Sequence, residues 1–239
     1  MKTTLKKTIQ EFANGKSYFS FRQLKQYLLS NKFVFADVSI KKSLKLLTDE
    51  KIFFSAGRGY YSNIQSELIL DYSPIESIAQ VLKQKFPLLQ FSIWSTKQIN
   101  FAFHHTQNKF FTFVYADKDS LIFLRDNLVE SNFSVYLNPR KSDLEKIIFT
   151  AESSIILRPF IARSINLGNY ASIEKIIVDL YLESERLAIL DKSEYNQVFQ
   201  NLLLNYRLNL SALLDYAERR KIVTKIKQLL VKYTNPTLV

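Results

Sequence analysis

The sequence predicts an α+β fold in which short helices and a β-hairpin are followed by a mixed α/β block and then by helices alone. Three observations predict this order. Residues 1–64 contain three segments with helical spacing of apolar residues, and two β-prone runs follow them. Residues 91–160 are rich in short aromatic and β-branched runs, which favour strands. Residues 172–232 have helical periodicity only, so they predict a helical bundle.

The amino-acid composition excludes several classes of protein and of functional site. The 239 residues are 47% hydrophobic, enough for a packed core. There is no cysteine, which excludes disulfides, thiolate metal sites and cysteine nucleophiles. No apolar run approaches the roughly 18 residues of a membrane span. No apolar h-region follows the first residues, so we expect no signal peptide. We therefore expect a cytoplasmic protein with no membrane partner.

The N-terminal segment begins with three predicted helices. The apolar spacing predicts a first helix over Thr4–Phe12, ended by Asn14-Gly15, and a second helix capped by Ser20. A third begins at Asp37 or Ser39. Its apolar stripe consists of Ile40, Leu44 and Leu47.

A hairpin signal follows the three helices. Two β-prone runs in Ile52–Tyr61 flank a turn that contains Gly57 and Gly59, half of all the glycine in the chain. Three short helices and then a hairpin is the order of a winged helix-turn-helix. In that fold the third helix enters the major groove of DNA. Residues 1–64 are therefore predicted to be a winged helix-turn-helix DNA-binding domain.

The charge of this segment agrees with a polyanionic partner. Residues 1–64 hold twelve Lys and Arg against four Asp and Glu, most of the chain's net charge of +11. A concentrated positive field attracts polyanions. The face of the third helix opposite its apolar stripe carries Lys41, Lys42 and Lys45, which lie three or four residues apart and project together.

The candidate contacts divide by residue type into phosphate and base contacts. Lysines and Arg22 suit phosphates, Ser39 and Lys42 lie where base edges are read, and Arg58 at the hairpin tip suits phosphate or the minor groove. The full candidate set for duplex DNA is Arg22, Lys25, Ser39, Lys41, Lys42, Lys45, Arg58 and Tyr60. Two alternatives remain open. The same helix order also serves in protein docking, and a basic helix face is often only solvated.

The middle of the chain predicts a connector and then a mixed block. Residues 65–90 form a helical connector that starts at Ser73-Pro74 and ends near Phe86-Pro87. Further elements are predicted from composition and periodicity: strands at Phe91–Trp94, Ile99–His105, Phe110–Tyr115, Phe133–Leu137, Ile147–Thr150 and Ser154–Leu157, and a helix at Asp117–Glu130. We expect a mostly antiparallel sheet. Residues 91–239 are taken as one C-terminal domain, strand-rich over 91–160 and helical over 172–232.

The last predicted helix carries a second basic cluster. Its apolar stripe is Ile222, Ile226 and Leu229. The cluster at its start consists of Arg219, Arg220, Lys221 and Lys225. It is a candidate contact surface for a partner, although a solvated helix face is the favoured interpretation.

The sequence holds no recognisable catalytic motif. His104 and His105 are adjacent in a predicted strand, so they should face opposite sides, one in the core, and not share a metal. Glycine-rich phosphate loops and nucleophile elbows are absent. Charges such as those of Glu174 and Lys175 have the spacing of ordinary surface charge. We therefore predict no catalytic residue, no metal and no cofactor, with a site assembled from distant residues in 91–232 as the alternative.

Five stretches resemble bacterial antitoxins of the abortive-infection AbiE type, a type IV toxin–antitoxin family that acts in phage defence. They occur in the family's order and span most of the chain. The stretches are Gly57–Tyr61, Ile93–Thr96, Ile156–Phe160, Ile173–Leu180 and Tyr216–Arg220.

The resemblance implies a function for each half of the chain. It implies a winged-helix domain that binds operator repeats and represses its own operon, with residues 39–48 and 57–61 on the DNA. It also implies a larger C-terminal domain that neutralises a nucleotidyltransferase-like toxin, by direct contact, by modifying the toxin or indirectly. Without the resemblance, a protein-interaction adaptor and a non-antitoxin transcriptional regulator remain the alternatives.

Overall fold

The computed structural model describes residues 5–105, 107–143, 153–161, 165–234 and 238 of the chain. The chain divides into two compact units. Unit 1 consists of Met1–Leu68 and Gln200–Val239, and unit 2 consists of Ile69–Phe199. In the described ranges, no helix has the length and apolar character needed to cross a membrane.

The N-terminal segment of unit 1 alternates helices with a small sheet. In chain order it contains α1 (Leu5–Ala13), β1 (Tyr18–Ser20), α2 (Phe21–Ser30), α3 (Asp37–Asp49), β2 (Phe54–Ser55) and β3 (Tyr60–Ser62). The three strands form an antiparallel sheet in the order β1-β3-β2. The three helices and the hairpin were predicted. Strand β1 was not, because three residues carry little periodicity and its partner β3 lies far along the chain.

Local chemistry fixes where these helices begin. Ser20 caps α2 in a capping box: its Oγ accepts a bond from the Gln23 N–H (3.3 Å), and Gln23 Oε1 accepts one from the Ser20 N–H (2.8 Å). Asp37 is the first residue of α3, where a negative side chain interacts favourably with the helix dipole. A single apolar cluster joins the segment, with Ile9, Phe12, Phe19, Leu24, Leu28, Ile40, Leu44, Leu47 and Phe53 among its buried members.

Unit 2 places helices against a six-stranded sheet. Its helices are α4 (Ser73–Lys85), α5 (Leu121–Glu130) and α6 (Ile173–Leu187). Its strands are β4 (Phe91–Ser95), β5 (Phe110–Ala116), β6 (Val135–Leu137), β7 (Ser153–Pro159), β8 (Asn166–Leu167) and β9 (Tyr170–Ala171). They are ordered β6-β7-β5-β4-β9-β8. The broad expectation of a mixed α+β protein with a C-terminal run of helices is confirmed.

The expectation of a mostly antiparallel sheet is wrong. Strand β7 runs parallel to both β5 and β6, and β4 is parallel to β9. Antiparallel pairing joins β4 to β5 and β8 to β9. Parallel neighbours need long crossovers, and the β5–β7 connection contains α5 and β6. Strands β5 and β7 are buried along almost their whole length, as is typical of parallel strands covered on both faces.

The predicted strand over Ile99–His105 is also wrong. Thr96–Ala102 form a 3-10 helix, because Ser95 and Gln98 make a second capping box that overrides the aromatic strand signal. His104 and His105 follow this helix, and both are exposed, with Nδ1 of the first 3.1 Å from Nε2 of the second. They do not face opposite sides of a strand. The predicted strand Ile147–Thr150 lies outside the described residues.

The predicted connector is part of the core of unit 2. Helix α4 starts with Ser73 and Pro74, as expected. Its apolar side joins the main buried cluster of the unit through Ile75, Ile78, Ala79 and Leu82.

The C-terminal helices are α7 (Lys192–Asn205), α8 (Leu210–Arg219) and α9 (Val223–Tyr233). From Gln200 onward they belong to unit 1, whereas the sequence placed them with residues 91–199. The buried Tyr18 hydroxyl donates to the Tyr206 carbonyl (2.8 Å) and accepts from the Leu208 N–H (2.9 Å). These partners are nearly the whole chain apart in sequence, so local periodicity carries no sign of the pairing.

Candidate nucleic-acid interface

Helix α3 presents the predicted polar face to solvent. Ile40, Leu44 and Leu47 are at most 1% exposed, and their burial fixes the rotation of the helix about its axis. The opposite face is exposed and carries Ser39, Lys41, Lys42 and Lys45. Lys41, Lys42 and Lys45, which helical spacing predicted to project together, are therefore exposed on one side of α3.

The cations on this face of α3, and Lys25 of the adjacent helix α2, differ in their neighbours. Lys41 Nζ lies 5.6 Å from the centre of the Phe21 ring. Lys25 of α2 pairs with Asp37, with 2.8 Å between Nζ and Oδ1. That carboxylate offsets the charge of Lys25, so Lys25 is a weaker phosphate contact than the sequence suggested. In the described ranges, Lys41, Lys42 and Lys45 form no ion pair.

A second basic feature is a groove of about 580 Å³ in unit 1. Three cations line it: Arg22 from the first turn of α2, Arg58 from the hairpin turn, and Lys227 from the middle of α9. Gln26 and Tyr60 line it as well. Sequence reasoning missed Lys227, because nothing local to α9 indicates that this lysine lies near α2 and the hairpin.

The hairpin turn is held by its backbone. Gly57 and Gly59 have φ angles of +97° and +78°, which glycine adopts without strain. The Ala56 carbonyl accepts from the Leu210 N–H (2.8 Å), and the Arg58 N–H donates to Ser211 Oγ (3.0 Å). The turn is therefore docked on the start of α8, and the Arg58 side chain remains exposed.

Tyr60 is half-buried at the end of this turn. Burial raises the pKa of its phenol, and the nearby Asp215 carboxylate raises it further. A phenol is already protonated at neutral pH, and these shifts extend that range upward, so the Tyr60 hydroxyl is available as a hydrogen-bond donor. A neutral donor of this kind suits a phosphate oxygen.

The charge of the chain is concentrated in unit 1. This unit contains nineteen Lys and Arg against seven Asp and Glu, a formal charge of +12. Unit 2 contains fourteen against fifteen, a formal charge of −1. The C-terminal helices thus add positive charge to the same unit that carries α3.

The second predicted basic cluster does not form one surface. Arg220 is 7% exposed, and its Nη1 donates to the Tyr216 hydroxyl (2.8 Å). It is therefore unavailable to a partner. Arg219 and Lys221 are exposed, whereas Lys225 is half-buried. The Tyr216 ring is buried as well, and its hydroxyl gives the inward-turned guanidinium of Arg220 a hydrogen-bond acceptor.

Residues 39–236 match a protein family described as a family of unknown function, DUF6577. The chain belongs to this family. The DUF6577 match begins within α3 and continues through the hairpin, unit 2 and the C-terminal helices. No curated protein matches the chain.

Within this DUF6577 chain, the Glu174 and Lys175 side chains of α6, which the sequence suggested were on the surface, are buried. Lys175, Asp179 and Glu183 recur every fourth residue, and all three side chains are fully buried. Lys175 pairs with Asp179, and Glu183 pairs with the buried Arg158 of β7. Sequence reasoning missed this network because charges four apart are typical of a solvated helix face. The described residues hold no group of three or more potential metal ligands.

Proposed function

We propose that unit 1 is a winged helix-turn-helix domain that binds duplex DNA with α3 in the major groove. The observation that carries this proposal is the exposed face of α3, where three lysines without ion-pair partners in the described residues lie opposite a fully buried stripe. An ammonium group without a carboxylate partner is free to neutralise a phosphate. The charge of +12 on this unit would steer it toward DNA.

The element order supports the proposed fold. A winged helix-turn-helix runs helix, strand, helix, helix, strand, strand, and the segment α1-β1-α2-α3-β2-β3 has that order. Its hairpin corresponds to the wing. The strand order β1-β3-β2 brings the start of α2 beside the wing, where the Phe21 N–H donates to the Gly59 carbonyl (2.8 Å).

Phosphate and base contacts divide between the two basic features. Arg22, Arg58 and Lys227 converge on the groove, and their charges suit the sugar–phosphate backbone. Ser39 and Lys42 lie in the first two turns of α3, where recognition helices reach base edges. In this arrangement the groove sets the position of the protein, and α3 reads the sequence.

The resemblance to AbiE-type antitoxins supports a narrower proposal. In that role the DNA is a set of operator repeats upstream of the protein's own gene, and the protein represses its operon. The partner opposed by the protein is a nucleotidyltransferase-like toxin. This role requires no enzymatic activity, and we propose none. An adaptor whose unit 1 docks protein instead of DNA is the competing function.

Binding of the full chain to its own upstream DNA tests the proposal. At physiological salt we expect binding about 10³-fold tighter, or more, than to a scrambled duplex. Equal affinity for both duplexes would contradict sequence-specific recognition, and no binding to either would favour the adaptor.

Co-expression with the adjacent gene tests the narrower role separately, since an antitoxin restores growth when that gene encodes the toxin. Tight operator binding without growth rescue would retain the DNA-binding function and remove the antitoxin role.

A further inference from the structure

Unit 2 contains a cavity of about 380 Å³ that is unrelated to the proposed DNA interface. Four cationic side chains line it: Arg140, Lys141, Arg158 and Arg186. Strands β6 and β7 are parallel, and the cavity lies where both end, at Asn138 and Pro159. Crevices at the carboxyl ends of parallel strands are common ligand sites in open α/β sheets.

Arg158 forms a fixed charged wall of this cavity. The residue is 2% exposed. Its Nε and Nη2 donate to Glu183 Oε2 at 3.0 and 2.7 Å. Its Nη1 donates to Asn138 Oδ1 (2.8 Å) and to the Pro139 carbonyl (2.9 Å). These bonds occupy four of the five guanidinium N–H groups and hold the guanidinium plane in one orientation, so Arg158 supplies a fixed positive charge and at most one hydrogen bond to a ligand.

The cavity has an excess of positive charge. One carboxylate, that of Glu183, serves both Arg158 and Arg186, whose Nη1 donates to Oε1 at 3.3 Å. Arg140 and Lys141 are exposed at the rim, and neither forms an ion pair within the described ranges. A second carboxylate, that of Asp143, accepts from the Arg140 backbone N–H (2.8 Å). Among the residues that the structure describes, the four lining cations therefore have two carboxylates beside them, an excess of two positive charges.

We propose that this cavity binds the phosphoryl group of a small phosphorylated ligand. The exposed fork of Arg140 can match phosphate oxygens in bidentate geometry, and the excess of two charges matches a phosphate dianion. A volume of about 380 Å³ is within the range of roughly 300–1,000 Å³ typical of small-molecule sites. The formal charge of −1 on unit 2 disfavours a nucleic acid here, because a long polyanion would also meet the rest of the unit's surface.

Titration calorimetry of the full chain with pyrophosphate and with ADP, without divalent cations, tests this site. We expect submillimolar binding of at least one probe. The double variant Arg140→Gln/Lys141→Gln removes two exposed cations without touching the buried network, and it should weaken binding by about tenfold or more. Lys118→Gln is the control, because Lys118 is an exposed lysine of the same unit that does not line the cavity. The affinity of the Lys118→Gln variant for each probe should equal that of the wild type.

The two probes distinguish the sources of the phosphoryl group. Tighter binding of ADP indicates a nucleotide, and equal or tighter binding of pyrophosphate indicates recognition of the phosphoryl groups alone. Each result supports the site. No measurable binding of either probe, or the same loss in the control as in the double variant, overturns it. Affinity for DNA is expected to be unchanged in the double variant, so this result is independent of the proposed DNA-binding function.

Discussion

Lys175 and Asp179 are the most deeply placed ionic pair in the structure as described. Neither side chain is exposed, and Lys175 Nζ lies 3.9 Å from the centre of the Tyr115 ring. Removing two charges from water carries a large desolvation cost, which their mutual attraction only partly offsets. Each partner is therefore tolerable in the core because the other is present.

We expect Lys175→Met to lower the free energy of unfolding by about 3–5 kcal/mol, because it leaves the Asp179 carboxylate buried without its cation. The double variant Lys175→Met/Asp179→Leu should recover most of this loss, since it removes both charges and keeps apolar volume. Urea denaturation of the three proteins measures the coupling. Additive losses in the double variant would show that the two side chains act independently.

The hairpin turn and α8 form the contact between elements that matters most for the proposed interface. A Cβ atom at Gly57 would lie 2.1 Å from Asn209 Oδ1 and 2.4 Å from Ser211 Oγ, whereas one at Gly59 would meet no atom within 4 Å. Asn209 caps α8 by accepting from the Ala212 N–H (3.1 Å). The position of the turn is therefore coupled to the start of that helix.

The matched pair Gly57→Ala and Gly59→Ala tests this docking. Both substitutions put alanine at positive φ, which costs about 1–2 kcal/mol. Gly57→Ala should cost more than Gly59→Ala, because the added methyl group also displaces Asn209 and Ser211. Thermal or urea denaturation measures the loss of stability in each variant. Equal losses of stability would mean that the turn is not packed against α8.

The elements that could be predicted from the sequence are those whose cause is local. The stripe of α3, the cap at Ser20 and the glycines of the hairpin turn all lie within one or two turns of chain. The 3-10 helix after Ser95 carries an equally local signal, but the aromatic residues of the same segment favour a strand, so two local signals conflict there. The parallel pairing of β7 and the packing of the C-terminal helices in unit 1 depend on partners far along the chain. Periodicity does not encode such partners.

The residues of the candidate DNA interface also divide into those that local sequence spacing predicts and those that it does not. Lys41, Lys42 and Lys45 could be grouped in advance, because helical spacing alone places them on one face. Lys227 could not, since its neighbours Arg22 and Arg58 come from the opposite end of the chain. Burial of Arg220 also escaped prediction, because it depends on how Tyr216 packs.

At the scale of the whole molecule, the two units differ sharply in charge. Unit 1 carries +12 and unit 2 carries −1, so the net charge of the chain arises from unit 1. A polyanion would meet unit 1 by electrostatic steering, and the field of unit 2 offers no comparable attraction. This asymmetry agrees with the separate partners that we propose: DNA for unit 1, and a protein or a small ligand for unit 2.

The most direct test of the proposed DNA-binding role of α3 is the salt dependence of duplex affinity. The logarithm of the binding constant is measured against the logarithm of salt concentration for the wild type and for Lys41→Gln/Lys42→Gln/Lys45→Gln. The triple variant should flatten the slope by about 0.9 for each phosphate contact that is lost. A control, Lys85→Gln/Lys118→Gln/Lys192→Gln, makes the same change of charge on unit 2 and should keep the wild-type slope. An unchanged slope in the α3 variant, or equal flattening in the control, would contradict the assignment of α3 to DNA.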